Sequence, residues 1–405
     1  MATQENEIVL FDETIKKVQA YLKIIGFQVD DRYRNRTFWE RLRLSSMINI
    51  SWVFIAVLGQ LTWFKQNASS RNSFVQHTNT APCVILCILS NIQSFYFIKY
   101  GRQVYHLIEA IKTLQSMLAG DATDESDVKF LKSQLNFLNI AVNGLVAIVL
   151  AGIFSFGISP LITIGKDYYN TGEVNLILPF LLAFPFDTND VKFWLIAYLF
   201  EMWAALVATF SVLTPGFVRY ACSTFIIFQF RVLHNDMEKI IPVDNNLGIQ
   251  LKNEDIKGKF SNIIDRHGKL LACVDLMEFI YSESTLFNVV TSTLLICLTG
   301  FNVTIMQDLT LVVPFLQFLM MSLTQIYFLC YYGDMIMAYS MKVADAAYNS
   351  QWYRAETSIA RDLMIISARA WKPSKMTALG FSDVNFKMFM RVNIYSSFIF
   401  LITSI

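Results

Sequence analysis

Seven long apolar blocks punctuate this chain, each separated from the next by polar or charged sequence. They fall at about Ser46–Phe64, from just after Pro82 to Ile98, Phe137–Ser159, Val191–Leu213, Tyr281–Phe301, Leu309–Tyr332 and Phe381–Ile405. Each is close to the roughly 20 residues that a helix needs to cross bilayer hydrocarbon. Several patterns run on past the bilayer. Block two continues as an amphipathic helix to Leu118, block four passes Pro215 and Gly216 to reach Ile241, and block six continues to Asn349. Block five begins in polar sequence before it turns apolar. Together these extensions predict a helical bundle beside the membrane.

The connections carry signals of their own. Met1 to Arg43 is polar and basic, with helical periodicity over Phe11–Ile25. In the connection Pro160 to Asp190, Leu178-Pro179-Phe180 and Phe184-Pro185-Phe186-Asp187 set prolines among aromatics, which predicts a folded cap. Asn302–Asp308 reads as a tight turn. Ser350 is placed to cap a helix over Gln351–Trp371, which Lys372-Pro373-Ser374 would end. The expected divisions are a leader over 1–45, spans one to six over 46–332, anchor helices over 333–380 and a last helix over 381–405. The expected fold class is an all-α membrane protein with seven transmembrane helices.

Composition agrees: 54% of residues are hydrophobic and 16% charged, against about 25% charged in soluble domains. Charge also supplies an orientation. With the amino terminus in the cytoplasm, 29 of the 33 Lys and Arg fall on the cytoplasmic side, counting Lys387 and Arg391 at the inner start of the last block, as the positive-inside bias requires. The carboxyl terminus is then extracellular, opposite to G-protein-coupled receptors. The first 45 residues hold no apolar core for a cleavable signal peptide. Asn67 and Asn302 open glycosylation sequons on the expected exterior. None of the six cysteines lies in an expected exterior loop, so core packing is expected of them rather than disulfides.

Catalytic motifs and cofactor signatures are missing from the pattern. His77, His106, His234 and His267 sit singly, without the spacing of metal ligands. Glu201 is the acid well inside an expected span, either a functional carboxylate or one that is satisfied locally. The spans lack the paired titratable groups expected of a transporter or membrane enzyme.

Two groups of residues suggest binding and conduction. About 10–15 Å below the outer surface, span two presents Cys87 and Asn91, and span three Leu150, Phe154 and Gly157. Span four adds Trp194, Tyr198 and Met202, and span six Phe315, Leu316 and Leu319. Apolar walls with a few hydrogen-bonding groups suit a neutral, apolar small molecule; ordinary core packing is the other reading. In the last block, Asn393, Ser396, Ser397, Phe400, Thr403 and Ser404 share a sector of about 120° at helical spacing. Such a stripe either back-bonds to its own helix or lines a water-filled conduit interrupted by Phe400. One striped helix encloses nothing, so a conduit requires several copies around an axis. Tyr348, Trp352 and Tyr353 in the anchor region are the candidates for holding them in register.

The stretch Cys330-Tyr331-Tyr332-Gly333-Asp334, with Lys342 through Tyr353, resembles the carboxyl-terminal signature of insect odorant receptors. Asn393-Ile394-Tyr395-Ser396-Ser397-Phe398 is similar to the family's terminal Thr-Tyr-Ser-Tyr-Phe motif, with Ile394 and Ser397 departing from it. Pro185-Phe186-Asp187 is similar too, and the resemblance extends to the seven spans, inverted topology and long inner helices. The Thr-Tyr…Gln ending of the related gustatory receptors is absent. The resemblance implies an odorant-gated, non-selective cation channel subunit in the dendrite membrane of a sensory neuron. It implies a heterotetramer with the odorant co-receptor (Orco), a ligand in the outer half and a pore lined by the last helix. The gate falls nearest Phe400, with Thr403 a second lining position. A gustatory-type channel of the same fold and a metabotropic seven-helix receptor are the alternatives.

Overall fold

The computed structural model describes residues 2–27, 29, 44–67, 73–118, 124–172, 174–241, 253–305 and 309–403; of residues 2–7, 73–76, 253–256, 309–311 and 395–403 it describes the backbone alone. The helices are α1 (Ala2–Ile24), α2 (Leu44–Asn67), α3 (Ser73–Lys99), α4 (Gly101–Leu118), α5 (Glu125–Thr171) and α6 (Val191–Glu238). They continue with α7 (Asn253–Ile305), α8 (Leu309–Asn349), α9 (Thr357–Ala370) and α10 (Phe386–Thr403). A hairpin, β1 (Thr377–Ala378) and β2 (Ser382–Asp383), separates α9 from α10.

Among the described residues, six helices are long and apolar enough to cross a membrane: α2, α3, α5, α6, α7 and α8. The seventh block appears as α10, whose 18 residues span about 27 Å at the helical rise. Pro82, Pro160, Pro215 and Pro314 lie inside helices, where membrane packing tolerates the lost backbone bond. α6 is the centre of the fold, packing against α1 to α5 and against α7 and α8. Its run from Val207 to Phe230 is buried on every side.

At one end the helices leave the apolar zone and become ion-paired. Buried Asp127 accepts from Arg231 Nε at 3.0 Å and from Asn235 Nδ2 at 2.8 Å. Arg266 donates to Asp236 at 2.6 Å, and Lys112 to Asp12 at 2.9 Å. α1 joins this anchor end through Phe11, whose ring meets Phe225 edge-on at 4.7 Å.

Several boundaries differ from expectation. α5 runs through Pro160 to Thr171, so the irregular connection is confined to the stretch before Asp190. Proline at 160 sits inside the apolar helix rather than after it. The helix after α8 begins at Thr357, not Gln351. Ser350 is buried and its hydroxyl donates back to Ala347 O at 2.7 Å, leaving it unable to cap. Gln351 then adopts a left-handed φ of 53°, and Trp352–Arg354 form a 3₁₀ turn. Asn302 is not in a turn: it is buried in α7, and Nδ2 donates to Thr78 O at 2.9 Å. That leaves no room for a glycan there.

The hairpin was not foreseen, and it sets the start of α10. Leu379 and Gly380 have φ of 51° and 75°, the two positive values of a type I′ turn. Thr377 N–H donates to Glu278 Oε2 at 2.7 Å, and Leu379 N–H to Ser282 Oγ at 2.9 Å, which fixes the hairpin to α7. Asn385 then caps α10 by accepting the Met388 N–H at 3.0 Å. Gly333 on α8 lies so close to this segment that an added Cβ would sit 2.2 Å from Val384 O.

Candidate functional site

The half of the fold away from the anchor holds two adjoining chambers. The deep one, of about 60 Å³, lies among α2, α3, α5, α6 and α8. Its apolar wall includes Ala56, Leu86, Cys87, Ile153, Phe156, Ala205, Phe318 and Met321, and its polar members are Gln60, Glu201, Thr209 and Gln317. The loop-side chamber, of about 310 Å³, lies beneath the irregular segment, bounded by Asn79, Thr80, Ser159, Thr163, Pro179, Leu181 and Phe315. Cys83, Phe156 and Phe180 belong to both walls. The Phe156 and Phe180 rings stack at 5.4 Å and 26° and form the partition between the chambers.

The connecting segment is a built roof. Phe180 N–H donates to Glu201 Oε2 at 2.9 Å, Ala183 N–H to Gly59 O at 3.1 Å, and Trp194 Nε1 to Ile177 O at 3.0 Å. Phe184 packs on Phe200 at 6.0 Å and Phe186 on Phe193 at 5.4 Å. Prolines 179 and 185 each sit at a bend of this backbone, and Phe180 is the aromatic of the segment that reaches the chambers. Asp187 Oδ1 closes a local turn by accepting from Asn189 N–H at 3.0 Å.

The residues expected to bind ligand divide by helical phase. Cys87 lines the deep chamber and Phe315 the loop-side chamber. Asn91 donates to Cys87 O at 3.0 Å within its own helix. Gly157, Tyr198 and Met202 form a helix crossing: Tyr198 OH donates to Gly157 O at 2.8 Å, and Met202 fills the space beside the glycine. Trp194 holds the roof, and Leu319 packs against the core. Leu150, Phe154 and Leu316 turn outward; Phe154 is 68% exposed. Glu201 is set in the chamber wall beside them. It is 1% exposed; one oxygen is held by Phe180, and Oε1 has no partner among the described residues. Gln60, Glu201 and Gln317 are the polar interruptions in apolar spans that could have revealed this wall from sequence.

At the anchor end, Tyr348 and Tyr353 are 74% and 71% exposed, while Trp352 is half-buried against the core with its ring 6.3 Å from Tyr353. Asn393 Nδ2 donates to Phe389 O at 3.0 Å on α10. The side chains of Ser396, Ser397, Phe400 and Thr403 lie outside the described residues, as does Ser404. All six cysteines are buried and free. Among the described residues no cluster of His, Cys, Asp or Glu is arranged to hold a metal.

The 7tm odorant receptor family matches residues 73–394. Odorant receptor 67c of Drosophila melanogaster is 24% identical over 344 residues, covering 84% of this chain and 82% of its own. The insect olfactory receptor OR5 of Machilis hrabei, solved in complex with eugenol, superposes with a TM-score of 0.79 at 17% identity, covering 98% of both chains. A second structure of the same receptor gives 0.79 at 16% identity, covering 98% of this chain and 99% of that one. A family match over most of the chain, on a helical membrane fold, makes this protein a member of the 7tm odorant receptor family, a membrane receptor and not an enzyme.

Proposed function

We propose that the chain is the odorant-binding subunit of a ligand-gated, non-selective cation channel, assembled with the odorant co-receptor (Orco) in the dendrite membrane of a sensory neuron. The observation that carries the binding half of this reading is the two-chambered cavity with its stacked aromatic partition. Small-molecule sites run from about 300 Å³ upward, so the loop-side chamber can admit a volatile ligand. The deep chamber as it stands has room for about four water molecules. A ligand reaching it must part Phe156 from Phe180, and parting them disturbs the roof.

Coupling to a pore follows from α8. Gln317, Phe318 and Met321 face the deep chamber. Ten residues on, about 15 Å along the same helix, Tyr327 touches Phe386 and Phe389 of α10 at ring distances of 5.9 Å each. Tyr331 touches Phe386 at 6.4 Å. A shift of α8 on ligand entry is thereby passed to the base of α10. On this reading Asn393, Ser396, Ser397 and Thr403 line the pore with Phe400 as its apolar constriction, which closes by excluding water. The exposed Tyr348 and Tyr353, with Trp352, supply the contact between subunits on the cytoplasmic side. The ligand must favour the open arrangement, since equal affinity for both states would shift nothing.

Voltage clamp of cells co-expressing the chain and Orco, with a panel of volatiles, tests both halves. Gly152 lines the deep chamber with open space at its Cβ position. Gly152→Leu should remove ligand-evoked current while sparing current evoked through Orco. Phe400→Ser should raise current without ligand, or alter ion permeability, at matched surface expression. Wild-type ligand responses in Gly152→Leu would place the site elsewhere, and unchanged current in Phe400→Ser would remove Phe400 from the gate.

A further inference from the structure

We propose that the deep chamber selects ligands carrying a hydrogen-bond donor, an alcohol or an amine, whose O–H or N–H is received by Glu201 Oε1 and Gln60 Oε1. This rests on the odorant-binding reading above and narrows it to a class of ligand. Three buried polar atoms on the walls of the two chambers lack a partner among the described residues: Gln60 Oε1 and Glu201 Oε1 in the deep chamber, and Asn79 Oδ1 in the loop-side one. The amide oxygens of Gln60 and Asn79 are acceptors only, and Glu201 Oε1 is a carboxyl oxygen beside them. The other polar side chains of the deep wall are already engaged. Thr209 donates to Ala205 O, and Gln317 Oε1 accepts from Ser155.

Glu201 and Gln60 are 1% and 2% exposed, so neither oxygen reaches bulk water. A buried acceptor without a donor forfeits the hydrogen bonds it makes in water. Neither chamber has a Lys, Arg or His among its described lining residues to compensate. The second carboxylate oxygen is held by the Phe180 N–H, which fixes the plane of the group and leaves Oε1 free for a ligand. An ether, aldehyde or hydrocarbon brings no proton to these oxygens and leaves them orphaned. An alcohol or amine satisfies at least one of them while its carbon chain lies against Ile153, Phe156, Phe318 and Met321. Asn79 stands where the same donor would first enter, on the loop side of the aromatic partition.

The test uses matched head groups on two skeletons, heptyl and benzyl. The heptyl set is heptanol, heptylamine, hexyl methyl ether and heptanal; the benzyl set is benzyl alcohol, benzylamine, benzyl methyl ether and benzaldehyde. Dose–response currents are recorded from the full chain co-expressed with Orco. The donor-bearing members should act at concentrations about tenfold below their ether and aldehyde counterparts, as a bond to a buried acceptor implies. Glu201→Leu should bring the head groups within about twofold of one another while ether responses persist, whereas Glu201→Gln, which keeps an acceptor oxygen, should retain most of the preference. If Glu201→Leu fails to reach the surface, Gln60→Leu provides the second variant and should weaken the same preference. Ethers or aldehydes matching the alcohols in the wild type, or an unchanged preference in both leucine variants, overturns the donor assignment alone. Silence to every member, with Orco-evoked current intact, counts against the odorant-gated reading as well.

Discussion

Replacing Gly333 by alanine tests how closely α8 must approach the segment that launches α10. The ideal Cβ of an alanine there would lie 2.2 Å from Val384 O and 2.9 Å from Val384 Cγ1. An ordinary carbon–oxygen contact is about 3.4 Å, so the two backbones must part by about 1 Å. The obstructing atom is a main-chain carbonyl, which cannot rotate aside as a long side chain does. Its own strand end is pinned, with Val384 N–H on Met376 O at 2.9 Å and Thr377 on Glu278 at 2.7 Å. Overpacking of this kind costs about 1–3 kcal/mol. Since α10 begins two residues later, the displacement should reach Phe386 and Phe389 and their rings on Tyr327. We expect Gly333→Ala to lower the melting temperature of the detergent-solubilised protein and to reduce or uncouple ligand-evoked current at equal surface expression. Gly258→Ala is the control: nothing lies within 4 Å of its Cβ position, and alanine in a helix is favoured over glycine by about 1 kcal/mol. Wild-type melting and gating in Gly333→Ala would refute the claim that this approach sets the position of α10.

Three further outcomes can be measured. His267 in the polar part of α7 is 5% exposed, and burial, with Arg369 adding to it, pushes its pKa from 6.5 down to about 4. The unfolded chain therefore binds a proton that the folded one refuses between these values, so stability falls as pH drops from 6.5 to 4, by about 3 kcal/mol in all; thermal melts across that window should flatten in His267→Gln. Trp352→Ala should lower the yield of assembled complex in native gels, with a cost below the about 3–5 kcal/mol of a fully buried tryptophan because this ring is half-buried, and normal assembly would make the anchor end peripheral. Of the two sequons, Asn67→Gln should abolish any glycan-dependent shift in electrophoretic mobility, whereas Asn302→Gln should leave the shift unchanged, given its buried bond to Thr78; the reverse result would require a different packing of α3 on α7.

The spans were legible because hydrocarbon imposes a length and an apolarity that few other environments demand. Block six, for example, is recovered as α8 from Leu309 to Asn349, with its extension intact. The cavity was far less legible, and the reason is physical. In a soluble helix polar and apolar faces reveal which side is buried, but a helix between lipid and core is apolar on both sides. Phe154 faces out and Phe156 faces the chamber, two residues apart and identical in hydropathy. Cys87 and Phe315 were reached by depth alone. Glu201 stood out as an intramembrane acid, but its tie to Phe180 depends on the fold of a proline-bearing connection whose path no periodicity encodes. The hairpin escaped for a similar reason: its strands are two residues each, and its turn places Leu379 where glycine or asparagine is the usual choice.

The 48-residue α6, about 72 Å long, has a further consequence for how this protein can change over time. From Val207 to Phe230 each side chain is enclosed, so a substitution there must be matched by compensating changes in several neighbours at once. Between Val191 and Trp203 the same helix has exposed and half-exposed positions on most of its circumference. Mutational freedom is thus graded along a single rod, high beside the roof and low toward the anchor. A lineage can vary the helix near the roof by single replacements, while its packed length toward the anchor stays under joint constraint.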